Sequence, residues 1–198
     1  MLWERVLSIK YNLKGNKKMS DLFEVIGSRI SYRGEYKPEA VPEEHLRAIM
    51  EAGLAAPSGC NQQTTSLIAV NDRQVLDKVQ SCLRENLKRP ICQSAPAVIC
   101  VLSQDIKSYH GMSFSKQDYA AAIQNMLLAI KALGYDSCWF EGYMTDESGN
   151  GRKIADILGV PAEYDLVCIL PVGIAADTAK PVDKKAFSER AWFNSFGG

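Results

Sequence analysis

The chain has 198 residues, and its 46% apolar content is enough for the core of one ordinary domain. Its 23 basic and 23 acidic residues balance, which excludes the global positive field that recruits nucleic acids or anionic membranes. No apolar run approaches the ~20 residues that a transmembrane helix needs, so a helical membrane span is not expected.

The first 18 residues differ from the rest of the chain. They hold scattered apolar residues and several lysines, without the continuous apolar core and small-residue cleavage site of a signal peptide. The Met19-Ser20-Asp21 that follows reads as a fresh start, because Ser20 or Asp21 can cap a helix. We interpret 1–18 as an N-terminal extension, either of the domain or from a start codon assigned too far upstream, and 19–198 as a single domain.

Hydrophobic periodicity and turn residues predict the elements of the first half. A short helix is expected over 21–27, and a second helix begins at Pro42, with acidic residues in its first turn, and is closed by Pro57. An apolar strand follows over 67–70. Asp72 can then cap a helix that reaches about residue 86.

The second half contains the strongest signals. A continuous apolar run over 97–102 predicts a central strand that is buried on both faces. After a polar connection over 103–116, a broad apolar face predicts a long core helix over 116–133, which Gly134 stops. The remaining predicted elements are a strand over 136–140, a helix over 151–158, a strand over 166–172 and a polar, lysine-rich tail.

The order of these elements favours an α+β fold. Helices outnumber strands, and the two do not alternate regularly as in a parallel sheet with crossover helices. The six cysteines form no C-x-x-C pair, and only two histidines accompany them, which disfavours a zinc site. Reduced thiols in a cytoplasmic protein explain this cysteine pattern.

A polar loop over 56–63 joins the second helix to the first strand. Its sequence, Ala-Pro-Ser-Gly-Cys-Asn-Gln-Gln, brings side-chain amides, a hydroxyl and backbone N–H groups to one place, which suits a polar planar ligand. A turn that only ends a helix has much the same composition. Both interpretations stay open at this point.

Arg29, Ser31 and Arg33 alternate along the chain. On an extended segment these residues project to the same side, which concentrates two guanidinium groups and one hydroxyl. Such a set can bind a phosphate or a carboxylate through parallel hydrogen bonds. The alternative is a pair of surface arginines that form salt bridges with Glu24 or Glu35.

Glu141 and Gly142 end the strand predicted over 136–140. A Glu-Gly step at the end of a strand frees backbone N–H groups and lets a flat ring approach the backbone closely. An ordinary turn from a strand into a loop would have the same sequence.

Taken in chain order, these elements resemble the nitroreductase family of FMN-dependent oxidoreductases. The resemblance covers residues 20–192 and rests on Arg-x-Ser-x-Arg at 29–33, the polar loop, Leu-Gly-x-x-Ser-Cys-Trp at 133–139, the Glu-Gly step and Leu-Pro-Val-Gly at 170–173. It implies a nitroreductase-like fold. In that fold a central mixed or antiparallel sheet is flanked by helices, with a long core helix and an extended C-terminal tail.

The resemblance also implies a homodimer with FMN at the subunit interface. Arg29, Ser31 and Arg33 would bind the ribityl phosphate and the pyrimidine side of the flavin. The family's late basic residues contact the phosphate, and Lys180 and Lys184 are the nearest candidates here.

Two further sets of contacts follow from the same resemblance. Pro57, Ser58 and Asn61 would reach the flavin from the partner subunit. Glu141 and Gly142 would place backbone N–H groups against flavin N5, and Gly142 would leave room for the ring.

The activity implied is hydride transfer from NADH or NADPH through flavin N5 to an electron-poor acceptor such as a nitroaromatic compound or a quinone, in ping-pong order. The flavin supplies the reactivity, so no side chain needs to act as a nucleophile or general base. The alternatives are a flavin reductase or specialised metabolite reductase of the same fold, and a flavin-binding protein with little turnover.

The chain departs from the family pattern at Ile30, where the family has a paired arginine before the serine, and in three further places. Thr64 and Thr65 stand where the family usually has Pro-Trp, and the late basic pair is spread over 180–184. The 103–116 connection is short where many members insert helices over the flavin. The residues that could cover the flavin, or else form an ordinary surface loop, are Tyr109, His110, Met112 and Phe114.

Overall fold

A three-stranded antiparallel sheet in the order β1–β2–β3 forms the centre of the fold. The strands are β1 (Thr65–Val70), β2 (Ala97–Ser103) and β3 (Asp165–Val172). Thr65 lies opposite Ser103 in the first pair, and Ala97 lies opposite Val172 in the second, which contains a bulge between Val101 and Leu102. The three strands predicted over 67–70, 97–102 and 166–172 are therefore confirmed, as is the α+β class.

The computed structural model describes residues 22–84, 91–108, 110–145, 147, 149–179 and 182–197. The extension predicted over 1–18, the predicted start of the first helix at Asp21 and the last residues of the helix predicted to reach 86 lie outside these ranges. Tyr109 and Lys180 lie outside them as well.

Five α-helices are present in the described ranges: α1 (Leu22–Ser28), α2 (Glu43–Leu54), α3 (Arg73–Arg84), α4 (Ser115–Ala132) and α5 (Asn150–Ile157). Asp72 caps α3 as predicted, because its carboxylate accepts the N–H groups of Gln74 and Val75, each at 3.0 Å. Gly134, with φ +84°, ends α4. No described helix has both the length and the apolar character required to cross a membrane.

Helices cover both faces of the sheet. Ile99 and Val101 of β2 belong to one apolar cluster with residues of α2 and α4, whereas Val98 and Cys100 belong to a second cluster with residues of α3 and α5. Every residue of β2 is buried. The continuous apolar run is explained by this position, because a strand between two helical layers has no solvent-facing side.

The prediction of a continuous strand over 136–140 is wrong. Asp136 bridges Gly173 and Phe140 bridges Ile169, both in antiparallel pairs with one register, but the residues between them form no ladder with β3. In that register Cys138 lies opposite Pro171. Proline has no backbone N–H, so Pro171 cannot donate the hydrogen bond to Cys138 that a continuous ladder would need. The segment therefore follows β3 as an interrupted fourth strand, and we refer to residues 136–142 as the sheet edge.

Helix α4 runs antiparallel to the sheet edge. Lys131 Nζ lies 3.1 Å from Asp136 Oδ1 near the end of the helix, and the Tyr119 hydroxyl donates to Glu141 Oε1 at 2.9 Å near its start. The helical distance between Tyr119 and Lys131 is about 18 Å. Because six extended residues span a similar length, of about 17 Å, the helix supports the edge at both ends.

Candidate functional site

The Arg29–Ser31–Arg33 segment lies against the start of the sheet edge. Ser31 forms a parallel bridge with Ser137, and the Tyr32 N–H donates to the Ser137 carbonyl at 2.9 Å. Tyr32 is only 3% exposed, whereas Ser31 and Arg33 are exposed and Arg29 is half-buried. The alternation of exposed Ser31, buried Tyr32 and exposed Arg33 is the one that an extended segment gives. Arg29 lies at the end of α1 instead, because its N–H donates to the Val25 carbonyl at 3.0 Å.

Neither arginine forms a salt bridge within the described ranges, so the alternative pairing with Glu24 or Glu35 is not observed. Arg33 Nη1 reaches only the Ser31 carbonyl, at 3.5 Å. Burial raises the pKa of the Cys138 thiol to about 11, and the positive charge of Arg33 opposes that rise. Arg33 therefore adds positive charge at the sheet edge, where the Asp136 and Glu141 carboxylates are already engaged by Lys131, Tyr119 and Trp139.

Ser137 lies beneath this positive edge. Its hydroxyl is buried and has no hydrogen-bond partner among the described residues. It lines a small cleft with Arg29, Lys131 and Asp136. A buried hydroxyl of this kind normally has a partner, so this end of the edge has unused hydrogen-bonding capacity beside two cations.

Glu141 ends the sheet edge with its side chain fixed in the fold. Oε1 accepts the Tyr119 hydroxyl at 2.9 Å, and Oε2 accepts the Trp139 indole N–H at 2.7 Å. Burial, followed by the hydrogen bond to Glu141 and its charge, raises the pKa of Tyr119 to about 12. Both carboxylate oxygens of Glu141 are therefore engaged by side chains of the fold.

Gly142 borders open space. It is exposed, and a Cβ added to it would meet no heavy atom within 4 Å. The Met144 N–H donates to the Glu141 carbonyl at 2.7 Å, which turns the chain away immediately after this point. The Glu-Gly step thus leaves room beside the backbone, as a flat ligand would need.

The polar loop is more than the end of a helix. Helix α2 already ends at Leu54, and residues 57–63 form a separate loop with a 3₁₀ turn over Gly59–Asn61. The Ser58 hydroxyl accepts the Gln63 N–H at 3.0 Å. Pro57 and Asn61 are exposed and Ser58 is half-buried, which leaves two of the three predicted ligand contacts at the surface.

Three non-glycine residues of the 57–63 loop have left-handed backbone conformations. The φ values are +52° at Cys60, +53° at Asn61 and +50° at Gln63. Such conformations cost free energy outside glycine and persist only where the surroundings impose them. Their concentration in one exposed loop points to a functional constraint on its shape.

Asp118 of α4 provides the constraint. Its carboxylate accepts the Gly59 N–H at 2.8 Å through Oδ1 and the Thr64 hydroxyl at 2.7 Å through Oδ2. Phe114 packs so closely on Gly59 that a side chain there would overlap it. Sequence reasoning missed Asp118. The available signal was an acidic residue beside the apolar face of a helix predicted to be in the core.

The 57–63 loop and Arg29 lie near opposite ends of α4. The loop contacts Asp118, whereas the Arg29 cleft is lined by Leu127, Ile130 and Lys131. Asp118 and Lys131 are about 20 Å apart along the helix axis. Ser31 and Arg33 lie along the sheet edge, where Ser31 bridges Ser137 in parallel and the charge of Arg33 acts on Cys138.

The two late lysines are not brought to the site by the described structure. Lys184 is exposed in the tail over 182–197, and Lys180 lies outside the described residues. Aromatic side chains of the tail contact one another, with ring centroids 6.1 Å apart for Phe187 and Phe193 and 4.2 Å apart for Trp192 and Phe196. The three phenylalanines are exposed, and Trp192 is half-buried.

A cavity of about 820 Å³ adjoins Glu141 at the start of α4. Its walls are polar and apolar in about equal parts and include Ser115, Lys116 and Tyr119 of the helix. Of the residues considered as a cover, His110 and Met112 are exposed and Phe114 packs on Gly59. The short 103–116 connection thus leaves the region beside Glu141 open.

Comparisons with protein families and with individual proteins identify the same family. Residues 26–174 match the Nitroreductase family. The chain is 29% identical over 171 residues to an Archaeoglobus fulgidus protein provisionally named as an NADH dehydrogenase/NAD(P)H nitroreductase, covering 86% of this chain and 91% of that protein.

Solved structures agree with this match. An FMN-dependent nitroreductase from Clostridium difficile superposes with a TM-score of 0.74 at 26% identity, covering 88% of this chain and 99% of that one. A nitroreductase with bound FMN from Bacteroides fragilis superposes with a TM-score of 0.71 at 27% identity, covering 89% and 100%.

Proposed function

This chain belongs to the nitroreductase family, and from that premise we propose that it is an FMN-dependent oxidoreductase that takes hydride from NADH or NADPH and delivers it to an electron-poor acceptor such as a nitroaromatic compound or a quinone. The observation that carries the proposal is the sheet edge. There, two guanidinium groups without carboxylate partners in the described ranges lie on the same edge as the open backbone at Gly142.

The residues of the edge fit the chemistry of FMN. The phosphate is a dianion, and Arg29 and Arg33 can bind it or the electron-rich pyrimidine side of the ring with charged hydrogen bonds. Ser31 adds a hydroxyl on the same open side. Lys184 and Lys180 remain the proposed late basic contacts to the phosphate.

When bound, FMN supplies a ring that accepts hydride from a reduced nicotinamide and passes it to the acceptor, one reactant after the other. The chain's own residues bind and orient. Glu141 and Gly142 direct backbone N–H groups toward the ring, while Arg33 stabilises negative charge on its pyrimidine side. Tyr119 and Trp139 keep the Glu141 carboxylate turned into the fold, so no side chain acts as a general base.

We further propose that two copies form a homodimer with FMN at the interface, and that Pro57, Ser58 and Asn61 act on the flavin of the partner. The separation of about 20 Å along α4 between the helix positions beside the 57–63 loop and beside Arg29 supports this arrangement, because one chain holds these two proposed contacts apart. Exposed apolar side chains on α1 and the tail provide surface for a partner, namely Leu22, Phe23, Ile26, Phe187, Phe193 and Phe196.

In the same proposal residues 19–198 form one FMN-binding domain of a cytoplasmic protein, with 1–18 as an extension. The purified protein provides the first test, through its visible absorption spectrum and its mass in solution. We expect a flavin spectrum and the mass of two 21.9 kDa chains. A colourless monomer that added FMN does not reconstitute would overturn the proposal. Oxidation of NADH or NADPH with an added acceptor then separates an enzyme from a flavin-binding protein with little turnover.

Replacing Arg29 and Arg33 by alanine tests the binding edge directly. Each lost charged hydrogen bond should cost about 1.5–3 kcal/mol of FMN binding, so the Kd of the double variant should rise more than tenfold. Arg47→Ala is the matched control, because Arg47 is an exposed arginine of α2 whose partner, at 3.4 Å, is Glu43. Equal FMN affinity in the double variant and the control would refute the assignment of Arg29 and Arg33.

A further inference from the structure

We infer that Asp118 is a positioning residue that fixes the 57–63 loop in its ligand-binding shape. This inference rests on the proposed function, because the loop is proposed to contact FMN. Asp118 is only 4% exposed, and both of its carboxylate oxygens bind the loop region, Oδ1 at the Gly59 N–H and Oδ2 at the Thr64 hydroxyl. Both oxygens of this buried carboxylate therefore have hydrogen-bond donors, as a buried polar group requires.

The loop needs such a support because its own backbone is strained. Cys60, Asn61 and Gln63 have left-handed φ values, which asparagine tolerates but which cost free energy for cysteine and glutamine. Within the loop the Ser58 hydroxyl accepts the backbone N–H of Gln63 at 3.0 Å. The side-chain Nε2 of Gln63 lies 3.5 Å from Asn61 Oδ1, which is long for a hydrogen bond. The two bonds from Asp118 bracket the strained residues, one before them and one after them.

Thr64 gives this support a feature specific to this chain. The resemblance places proline at this position in most family members, where the ring itself restricts the backbone. Here the Thr64 hydroxyl donates to Asp118 and its carbonyl accepts the Gln104 N–H at 3.0 Å. A hydrogen-bonded side chain thus takes over the restriction that a proline ring would provide.

Asp118 acts through the loop, since its oxygens are engaged by Gly59 and Thr64. It is followed in α4 by Tyr119, which binds the Glu141 carboxylate at 2.9 Å. Consecutive helix residues project about 100° apart, so the start of α4 supports two structures on different sides. The loop is proposed to face the partner's flavin, and Glu141 is proposed to face the flavin of its own chain.

The test compares Asp118→Ala, Asp118→Asn and Asn125→Ala in the full-length protein. Asn125 is the matched control, because it lies on the same helix and donates to the Ala52 carbonyl at 3.1 Å, away from the loop. Two quantities are measured: hydrogen–deuterium exchange of the amides over 58–64 in the protein without FMN, and the Kd for FMN. Thermal unfolding of each variant reports its general stability.

We expect Asp118→Ala to raise both the loop exchange rate and the FMN Kd about tenfold, the effect of losing a hydrogen bond to a charged group. In Asp118→Asn the loop exchange rate and the FMN Kd should both stay close to the wild-type values, because the asparagine carbonyl still accepts the Gly59 N–H. Asn125→Ala should change neither quantity. If Asp118→Ala does not fold, Thr64→Val supplies the same comparison, since it removes one of the two donors and keeps the side-chain shape.

Unchanged loop exchange in Asp118→Ala would overturn the inference. Faster exchange with an unchanged FMN Kd would also overturn it, because the loop would then be fixed without serving the ligand. A wild-type protein that binds no FMN would instead overturn the proposed function. The exchange measurement would still decide in that case whether Asp118 fixes the loop.

Discussion

The 57–63 loop and the sheet edge are the two parts of the proposed site, and they are stabilised in opposite ways. The shape of the loop depends on side chains, with the Ser58 hydroxyl, the Asp118 carboxylate and the Thr64 hydroxyl each replacing a bond that regular structure would supply. The edge depends on its backbone. Asp136 donates to the Gly173 carbonyl at 2.8 Å, and Phe140 and Ile169 exchange two bonds at 2.9 and 3.2 Å.

This difference has a mutational consequence. A single side-chain substitution should disturb the loop strongly because, apart from two backbone bonds, from Asn61 to Ser58 and from Gln62 to Gly59, side-chain hydrogen bonds hold its left-handed residues. The same kind of substitution should disturb the edge weakly, because its backbone bonds to β3 survive. Helix α4 is the common support, and its contacts with both parts make the comparison measurable within one protein.

The largest effect is expected for Gly59→Ala in the loop. The added Cβ would overlap the Phe114 side chain, so either the ring or the loop must move. Overpacking of this kind costs about 2–3 kcal/mol, and the displaced loop would also weaken the Gly59 bond to Asp118. Urea unfolding of the protein without FMN measures the loss of free energy of unfolding.

Gly142→Ala on the edge is the control for that prediction. Its Cβ would meet nothing within 4 Å, so the free energy of unfolding should stay within about 0.5 kcal/mol of wild type. If Gly142 borders the flavin as proposed, the same variant should bind FMN more weakly. Equal losses of stability in the two glycine variants would contradict the contrast between the loop and the edge.

Tyr119→Phe should have an intermediate effect, since it removes one of the two donors to the Glu141 carboxylate and leaves the Trp139 bond in place. A lost hydrogen bond to a charged group should cost about 1.5–2 kcal/mol of unfolding free energy at neutral pH. Urea titrations of wild type and variant at the same pH measure this difference.

The difference should also depend on pH. The pKa of Tyr119 is about 12 in the folded protein, above its ordinary value of 10.0, so the folded state binds the phenol proton more tightly. The resulting stabilisation is fully present below pH 10 and is lost as the pH rises from 10 to 12. Phenylalanine has no such proton. The gap between the two proteins should therefore narrow over this range, and a constant gap would refute the assigned environment of Tyr119.

The same contrast explains how far the sequence could predict this structure. The run over 97–102 and the face of α4 were readable because burial repeats with the period of the element. The break in the sheet edge was not, because it depends on Pro171 lying opposite Cys138, a register that only the folded sheet defines. Local patterns identified the elements, and pairing across the sheet decided where one of them is interrupted.

The site shows the same limit. The spacing of Arg29, Ser31 and Arg33 predicts one open side, and the structure shows this alternation for Ser31 and Arg33, whereas Arg29 lies at the end of α1. Asp118 was missed because its partners, Gly59 and Thr64, are 59 and 54 residues away in the chain. A buried carboxylate in a core helix is a recognisable oddity in sequence, but the groups that satisfy its charge are defined only by the fold.

The smallest effect is expected for Lys131→Ala, which removes the ion pair with Asp136 at the start of the sheet edge. The pair is partly exposed, so its loss should cost about 0.5 kcal/mol and less at high ionic strength. The bonds from Asp136 to Gly173 and from Tyr135 to Ile130, at 2.8 and 3.0 Å, remain and keep the backbone in place. Urea midpoints at low and high salt measure both quantities. A loss as large as that of Gly59→Ala, unaffected by salt, would mean that the edge also depends on single side chains, and the contrast with the loop would then be wrong.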